Sequence, residues 1–133
     1  METLELDELD YKLIDAASEV LARNFDAERH SVGAAVLTGS GKIYSAVNIE
    51  SVGYGPCAEP IAIGGAISAG ERDLQRIVAV SGRTSPYNVI SPCGNCRQLL
   101  YEYAPDCLVI VEVEGKSVKV RVRDLFPAPY SEF

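Results

Sequence analysis

The sequence has no long hydrophobic run. Its longest apolar stretch lies over residues 61–70, well short of the about 20 residues that a membrane-spanning helix needs. The first ten residues are acidic and lack the basic start and apolar run of a signal peptide. We therefore expect a cytoplasmic protein that does not enter the membrane.

Basic residues are also scarce. The chain has 12 Lys and Arg against 19 Asp and Glu, which gives a net charge of −7. This charge is unfavourable for binding a polyanion, so we expect no nucleic-acid partner. Internal repeats, low-complexity tracts and linkers are absent as well. With 133 residues, of which 47% are hydrophobic and 23% charged, the sequence predicts one folded domain over 1–133.

The hydrophobic pattern alternates between helical and strand-like segments. It predicts helices over 6–24, 57–69 and 93–103, and strands over 31–37, 42–48, 76–81, 107–113 and 117–122. Residues 82–92 are predicted to form a polar loop, and 124–126 one last turn. This order predicts an α/β fold: a three-layer α-β-α sandwich around a mixed, roughly five-stranded sheet.

The second predicted helix is unusually poor in charge, since Glu59 is its only charged residue. A helix that is apolar all round is buried on every side, inside the domain or against another subunit. Gly64 and Gly65 lower its helix propensity by about 1 kcal/mol each, which favours the close approach of another backbone. Gly70 is placed to end this helix.

Three of the four cysteines lie in two short clusters, each at the start of a predicted helix. Cys93 and Cys96 are three residues apart, so both thiolates can reach one metal ion from a first helical turn. Cys57 would complete the set from a second helix. Cytoplasmic thiols are mostly reduced, which favours metal binding over disulfides. Three protein ligands leave zinc one open position, as is typical of catalytic sites.

A carboxylate stands beside the first of these cysteines. Glu59, two residues beyond Cys57, can reach a water in the open position without ligating the metal. Zinc lowers the pKa of a bound water to about 7, and a carboxylate placed there can accept a proton and return it elsewhere. A metal ligand-x-Glu cluster followed by Pro-Cys-x-x-Cys is the signature of zinc nucleobase deaminases.

The resemblance extends beyond this signature. The segments SVGAA (31–35), NIE (48–50), CAE (57–59) and PCGNCRQ (92–98) resemble successive motifs of the small homotetrameric cytidine deaminases. The segments GPCAE (55–59) and SPCG (91–94) also resemble the blasticidin S deaminases, a branch of the same superfamily that acts on a cytosine nucleoside antibiotic. The ending LFP (125–127) is similar to the Leu-Leu-Pro of both groups. The match covers nearly the whole chain from residue 31 onward.

The resemblance implies a zinc-dependent hydrolytic deamination. The substrate would be a cytosine nucleoside, cytidine or deoxycytidine, and the products the uracil nucleoside and ammonia. Cys57, Cys93 and Cys96 would bind the zinc, hydroxide on the zinc would attack C4 of the base, and Glu59 would shuttle the protons. No redox cofactor is implied.

The resemblance also implies substrate contacts. Asn48 and Glu50 would hydrogen-bond the ribose hydroxyls, and the backbone N–H of Ala58 would meet O2 of the base. Two positions depart from the cytidine deaminase pattern. Pro60 stands where an arginine usually follows the glutamate, and His30 stands near the position of a base-contacting phenylalanine. His30 is therefore either a base contact or a solvated loop residue.

The charge of the site and its assembly give two further expectations. Three thiolates and a hydroxide outweigh the charge of Zn²⁺, and two helix N-termini offset only part of the excess. Arg97 is the nearest candidate in the sequence to offset the rest. The charge-poor second helix and the family resemblance together imply a homotetramer, in which segment 126–133 would contribute to a neighbouring pocket.

Other interpretations remain open from the sequence alone. The substrate could be a nucleoside antibiotic of the blasticidin S type. The protein could also be a zinc-stabilised binding module without catalysis, although its charge and its missing fourth ligand count against that. Cys93 and Cys96 could form a redox pair, or Cys107 could close a structural four-cysteine site. We expect Cys107 to be a buried free thiol.

Overall fold

The computed structural model describes residues 1–131; Glu132 and Phe133 lie outside the described residues. The predicted contribution of segment 126–133 to a neighbouring pocket therefore falls partly outside them. In chain order the elements are α1 (Glu8–Asn24), β1 (Val32–Thr38), β2 (Ile43–Val47), α2 (Ala58–Ser68), β3 (Leu74–Ser81), β4 (Asn88–Ile90), α3 (Gly94–Tyr103), β5 (Leu108–Val113), β6 (Lys116–Arg121) and a closing 3₁₀ turn (Val122–Leu125).

Five strands form a continuous mixed sheet in the order β2-β1-β3-β5-β6. Strands β3 and β5 run parallel, and the other neighbouring pairs are antiparallel. This confirms the predicted mixed sheet. The short strand β4 pairs with the end of β3 outside this path. The prediction of a loop throughout 82–92 is therefore wrong at β4, since a strand of 3 residues is too short to show alternation.

Side chains alternate between the two faces of the sheet, as the two-residue period of a strand requires. On one face, α1 packs Leu13 and Leu21 against Ala35 and Val78. On the other face, α2 and α3 pack over a second set of strand residues. The largest members of this second cluster are fully buried and include Val36, Ile63, Ile77, Leu100 and Val109. The three-layer α-β-α sandwich is confirmed.

The ends of two helices have local causes. Helix α1 begins at Glu8 because Asp7 caps it: the Asp7 carboxylate accepts from the N–H groups of Leu9 and Asp10 at 3.0 and 3.2 Å, and the Asp10 carboxylate accepts from the Asp7 N–H at 2.8 Å. This reciprocal arrangement is a capping box. Helix α2 is followed, as predicted, by Gly70 with a φ of 91°, which glycine adopts without strain.

The glycines of α2 face outward. A Cβ built at Gly64 or Gly65 would meet nothing within 4 Å, and both residues are exposed. The expectation that another backbone approaches them is therefore not met within residues 1–131. Helix α2 leaves an uncharged surface formed by Pro60, Ile61, Gly64 and Gly65.

None of the described helices has the length and apolar character to cross a membrane.

A buried ionic cluster joins the start of α1 to the sheet. Asp10 is fully buried, and it accepts from Arg76 of β3 and from Lys119 of β6, both at 2.8 Å. Asp7 accepts from the same two cations at 2.7 and 3.1 Å. The hydrogen bond from Arg76 holds the pKa of the Asp7 carboxyl well below its ordinary value.

The substitution Asp10→Asn should lower the free energy of unfolding by about 3 kcal/mol, because it removes the buried partner of two cations. Urea denaturation at pH 7 measures the change. Glu5→Gln is the matched control, since Glu5 pairs with Lys116 on the exposed surface and its loss should cost less than about 1 kcal/mol. Equal effects of the two substitutions would contradict this account.

Candidate active site

Cysteines at two helix N-termini form the centre of the site. Cys57 is the N-cap residue of α2 and Cys93 is that of α3. Cys96 lies in the first turn of α3 and is fully buried. The positive ends of both helix dipoles therefore lie near the sulfur atoms, and this position stabilises thiolates.

The three sulfur atoms have the spacing of a zinc site. Cys93 Sγ lies 3.7 Å from Cys57 Sγ and 3.6 Å from Cys96 Sγ, and all three atoms lie within 4.8 Å of one another. A tetrahedral zinc ion with Zn–S bonds of about 2.3 Å separates its sulfur ligands by about 3.8 Å. The trio thus fits three corners of the tetrahedron, and soft thiolate ligands suit zinc.

The thiols differ in acidity. Burial raises the pKa of the Cys57 and Cys96 thiols. Burial also acts to raise the pKa of Cys93, but hydrogen bonds from backbone N–H groups and from the two neighbouring sulfurs outweigh it, and the pKa of Cys93 is lowered. Because zinc binds the thiolate form, metal binding at this cluster releases protons.

Cys107 lies apart from the cluster. It is a free thiol with 3% of its surface exposed, and burial raises its pKa to about 12. It does not join the metal-binding group among residues 1–131. The alternative of a closed four-cysteine site is therefore not realised there.

Glu59 is the second residue of α2 and is only 5% exposed. Burial raises the pKa of its carboxyl above the ordinary value. A carboxyl with a raised pKa holds a proton more readily than a solvated one, which suits a group that must accept and return protons.

One cavity of about 200 Å³ brings most of the predicted residues together. Its lining includes Asn48, Glu50, Cys57, Ala58, Glu59 and Cys93. A larger cavity of about 290 Å³ is lined by residues 72–75 and 103–108. That second cavity contains none of the predicted site residues, so the cavity at the cysteines is the candidate active site.

Asn48 is fixed by the backbone of the neighbouring strand. It is 5% exposed, and its Oδ1 accepts from the N–H groups of Ser31 and Val32 at 2.8 and 2.9 Å. Its Nδ2 donates to Glu50 Oε1 at 3.3 Å. One amide therefore holds the start of β1 and orients the carboxylate of Glu50 at the same time.

The structure does not place His30 in the lining of the cavity. Its Nδ1 lies 2.8 Å from the backbone carbonyl oxygen of Asn48, which can only accept, so Nδ1 carries the proton. Arg97 does not line the cavity either. Its guanidinium donates to the carbonyl oxygens of Pro92 and Leu125 at 2.9 and 2.8 Å.

Two features of the site were not predicted from the sequence. Ile90 and Ser91 line the cavity, because β4 pairs with the end of β3 and carries them there. The bonds from Ser31 and Val32 to the amide of Asn48 were also missed. The available signal was the position of Asn48 at the end of a predicted strand, where a polar side chain can bond to the adjacent strand.

A cluster of three cysteines with zinc spacing, next to a buried carboxyl in a cavity, is the arrangement expected of a zinc-dependent hydrolase. The family model for the cytidine and deoxycytidylate deaminase zinc-binding region matches residues 7–112. The chain belongs to this family. The predicted deaminase activity and the zinc-binding cluster of Cys57, Cys93 and Cys96 are thereby confirmed.

Curated relatives and solved structures agree with this assignment. Blasticidin-S deaminase from Bacillus cereus is 42% identical and covers 98% of this chain and 99% of its own. Cytidine deaminase from Halalkalibacterium halodurans is 36% identical, with 77% of this chain and 79% of its own covered. The crystal structure of cytidine deaminase from Mycobacterium leprae superposes with a TM-score of 0.77 at 28% identity, covering 92% of this chain and 100% of the other.

The substitution Cys57→Ser should abolish tight zinc binding, because the site would lose one of its three protein ligands. Metal analysis of the purified, dialysed protein measures zinc per chain. Cys107→Ser is the control and should keep the zinc content of the unmodified protein, since Cys107 lies outside the cluster. Full zinc content in the Cys57 variant would contradict the assignment of this ligand.

Proposed function

We propose that this deaminase acts at C4 of a cytosine nucleoside, cytidine or deoxycytidine, and releases ammonia. One observation carries the proposal: a single cavity is lined both by zinc-binding cysteines with Glu59 and by the polar pair Asn48 and Glu50. The first set supplies hydrolytic chemistry, and the second supplies hydrogen bonds to a sugar. A zinc-stabilised binding module without catalysis would not explain why the carboxyl of Glu59 is buried beside the metal-binding cysteines.

Three cysteines are the ligands in this proposal, and Glu59 moves the protons. When bound, zinc supplies a water of lowered pKa at its open position. In the overall reaction a C4–O bond forms and the C4–N bond breaks. Glu59 accepts one proton from the water and delivers it to N3 of the base. It then takes the second proton of the same water from the hydroxyl formed at C4 and transfers it to the departing amine. Ammonia and the uracil nucleoside are the products, so atoms and charge balance.

The base and sugar would be held by short, fixed contacts. The Ala58 N–H, at the N-terminus of α2, would donate to O2 of the base. Glu50 has one oxygen bonded to Asn48, and its other oxygen is available to accept from a ribose hydroxyl. The Nδ2 of Asn48 has a second hydrogen to donate to the sugar. His30 would support the substrate contacts of Asn48 through its bond to the Asn48 backbone.

Arg97 would offset part of the negative charge of the metal site. Within residues 1–131 its guanidinium forms no ion pair with a carboxylate. It follows Cys96 directly and bonds to the carbonyl oxygen that precedes Cys93. Its positive charge is therefore held near the thiolates and is not neutralised by an acidic side chain in the described part of the chain.

A blasticidin S-type antibiotic is the second candidate substrate. The observation that favours it is the match to blasticidin-S deaminase of Bacillus cereus, which covers 98% of this chain at 42% identity. The cytidine deaminase from Halalkalibacterium halodurans matches over only 77% of the chain. Both candidates share the cytosine base, so the residues at zinc would do the same work on either.

We propose a homotetramer, in which a neighbouring subunit completes the pocket. The cavity of about 200 Å³ is smaller than the roughly 300–1,000 Å³ usual for ligand sites. Val52 and Tyr54, in the loop before α2, are exposed, and so are the glycines of α2. These uncharged surfaces are suited to burial between copies of the chain.

A reducing compartment such as the cytoplasm would keep the thiols free.

The substitution Glu59→Gln should lower kcat for cytidine by at least about a hundredfold, because the amide cannot carry a proton. Loss of absorbance as cytidine becomes uridine, together with ammonia release, measures the rate. Zinc content should be unchanged. Glu19→Gln on the exposed face of α1 is the matched control and should keep full activity. Unchanged turnover in the Glu59 variant would contradict the proton-shuttle role.

The substitution Glu50→Gln should lower kcat/KM for cytidine about tenfold or more, through the loss of a charged hydrogen bond to the sugar. It should leave kcat/KM for 2′,3′-dideoxycytidine nearly unchanged, since that nucleoside lacks both ring hydroxyls. A parallel assay of the unmodified enzyme with cytidine, deoxycytidine and blasticidin S ranks the candidate substrates. The ratio of kcat/KM for cytidine to kcat/KM for 2′,3′-dideoxycytidine should therefore fall in the variant. An unchanged ratio would contradict the contact between Glu50 and the sugar.

The purified protein should elute and scatter light as a tetramer at micromolar concentration. Ile61→Lys on the outward face of α2 should shift it toward smaller species, since a buried charge opposes association. Asp15→Lys on α1 is the control for an added lysine, because Asp15 is exposed. A monomer in the unmodified protein would contradict the proposed assembly.

A further inference from the structure

Arg97 joins two parts of the main chain that are distant in the sequence. Its Nε donates to the carbonyl oxygen of Pro92 at 2.9 Å, and its Nη1 donates to the carbonyl oxygen of Leu125 at 2.8 Å. The first acceptor lies just before the zinc ligand Cys93. The second lies in the C-terminal part of the described chain. One planar guanidinium therefore bridges the metal-binding loop and the closing 3₁₀ turn.

The Pro92 carbonyl lies outside the hydrogen-bond ladder of α3. Cys93 is the N-cap, and its carbonyl accepts the first bond of the helix, from the Arg97 N–H at 2.9 Å. The preceding carbonyl of Pro92 therefore has no helical donor, and the Arg97 side chain provides one. Pro92 is itself buried, so this bond fixes the main chain directly before a metal ligand.

The Leu125 carbonyl belongs to a segment that packs against the rest of the domain. The 3₁₀ turn starts at Val122, which is fully buried and donates to the Cys107 carbonyl at 3.0 Å. After the turn, the ring of Phe126 lies 6.3 Å from that of Tyr101 on α3. The segment that contains the Leu125 carbonyl is thus held in place by contacts before and after it.

We propose that Arg97 is a positioning residue, which ties the Cys93 loop to the C-terminal turn and so sets the geometry of the zinc site. This role goes beyond the charge role proposed above and does not depend on the substrate. The guanidinium fork holds two acceptors at a fixed separation, whereas a lysine ammonium is a point charge on a flexible stem. Residues that orient metal ligands typically contribute 10–100-fold in metal affinity.

Two substitutions separate position from charge. Arg97→Lys keeps the positive charge and loses the fork, and Arg97→Gln loses both. Zinc affinity, measured on the full chain by competition with a chromophoric chelator, should fall about tenfold or more in both variants. The control is Arg123→Gln, because Arg123 lies in the same turn but pairs with Asp106 on the exposed surface. Its zinc affinity should be unchanged.

Cobalt substitution gives a readout that a loss of general stability does not move. The visible absorption bands of Co²⁺ bound to the three cysteines should shift or broaden in both Arg97 variants and stay unchanged in the Arg123 control. Zinc affinity and a cobalt spectrum within error of the unmodified protein in Arg97→Lys would overturn the proposal, since the charge alone would then suffice.

A second variant tests the packing of the C-terminal turn to which Arg97 is bonded. Phe126→Ala removes the ring contact with Tyr101 without changing Arg97, so it should lower zinc affinity in the same direction. In the double variant Phe126→Ala with Arg97→Lys, the loss should be smaller than the product of the two single losses, because both act through one connection. Multiplicative losses in the double variant would overturn the proposed connection between the Cys93 loop and the C-terminal turn. An unchanged zinc affinity in Phe126→Ala would also overturn it, and this outcome can be measured even if an Arg97 variant fails to fold.

Discussion

The convergence of two helix N-termini on one point is the constraint on which the rest of the structure depends. Helices α2 and α3 lie on the same face of the sheet, and each begins at a cysteine. The sheet therefore sets the sulfur spacing of 3.6 and 3.7 Å. Two helix dipoles reduce the cost of gathering negative charge there. The carboxyl of Glu59 enters the same space because it follows the first cysteine on the first turn of α2.

Much of this arrangement can be predicted from the chain because it is local. The three-residue spacing of Cys93 and Cys96 predicts that both lie at the first turn of one helix. The two-residue spacing of Cys57 and Glu59 predicts the same for a second helix. The sandwich follows from alternation that is long enough to recognise. The strand β4 escapes prediction because three residues carry no periodic signal. The outward exposure of Gly64 and Gly65 also escapes it, since propensity does not reveal what covers a helix face.

Contacts between distant segments are the other part that sequence reasoning misses. The two N–H groups that bind Asn48 come from residues 16 and 17 positions away, and the Leu125 carbonyl lies 28 residues from Arg97. The position of Arg97 beside a metal-binding cysteine could be predicted from the chain. Its two carbonyl partners could not, because they depend on how the C-terminal turn folds back over α3.

The double duty of Asn48 limits how this site can diversify. Its amide oxygen accepts from two backbone N–H groups at the start of β1, and one hydrogen of its nitrogen is donated to Glu50. A replacement that lacks this amide oxygen would leave two strand N–H groups without an acceptor, which is costly in a buried position. Substitutions at the more exposed neighbours of this amide, Ile49 and Glu50, should therefore change the cavity at a lower cost in stability, because they leave the bonds to the adjacent strand in place.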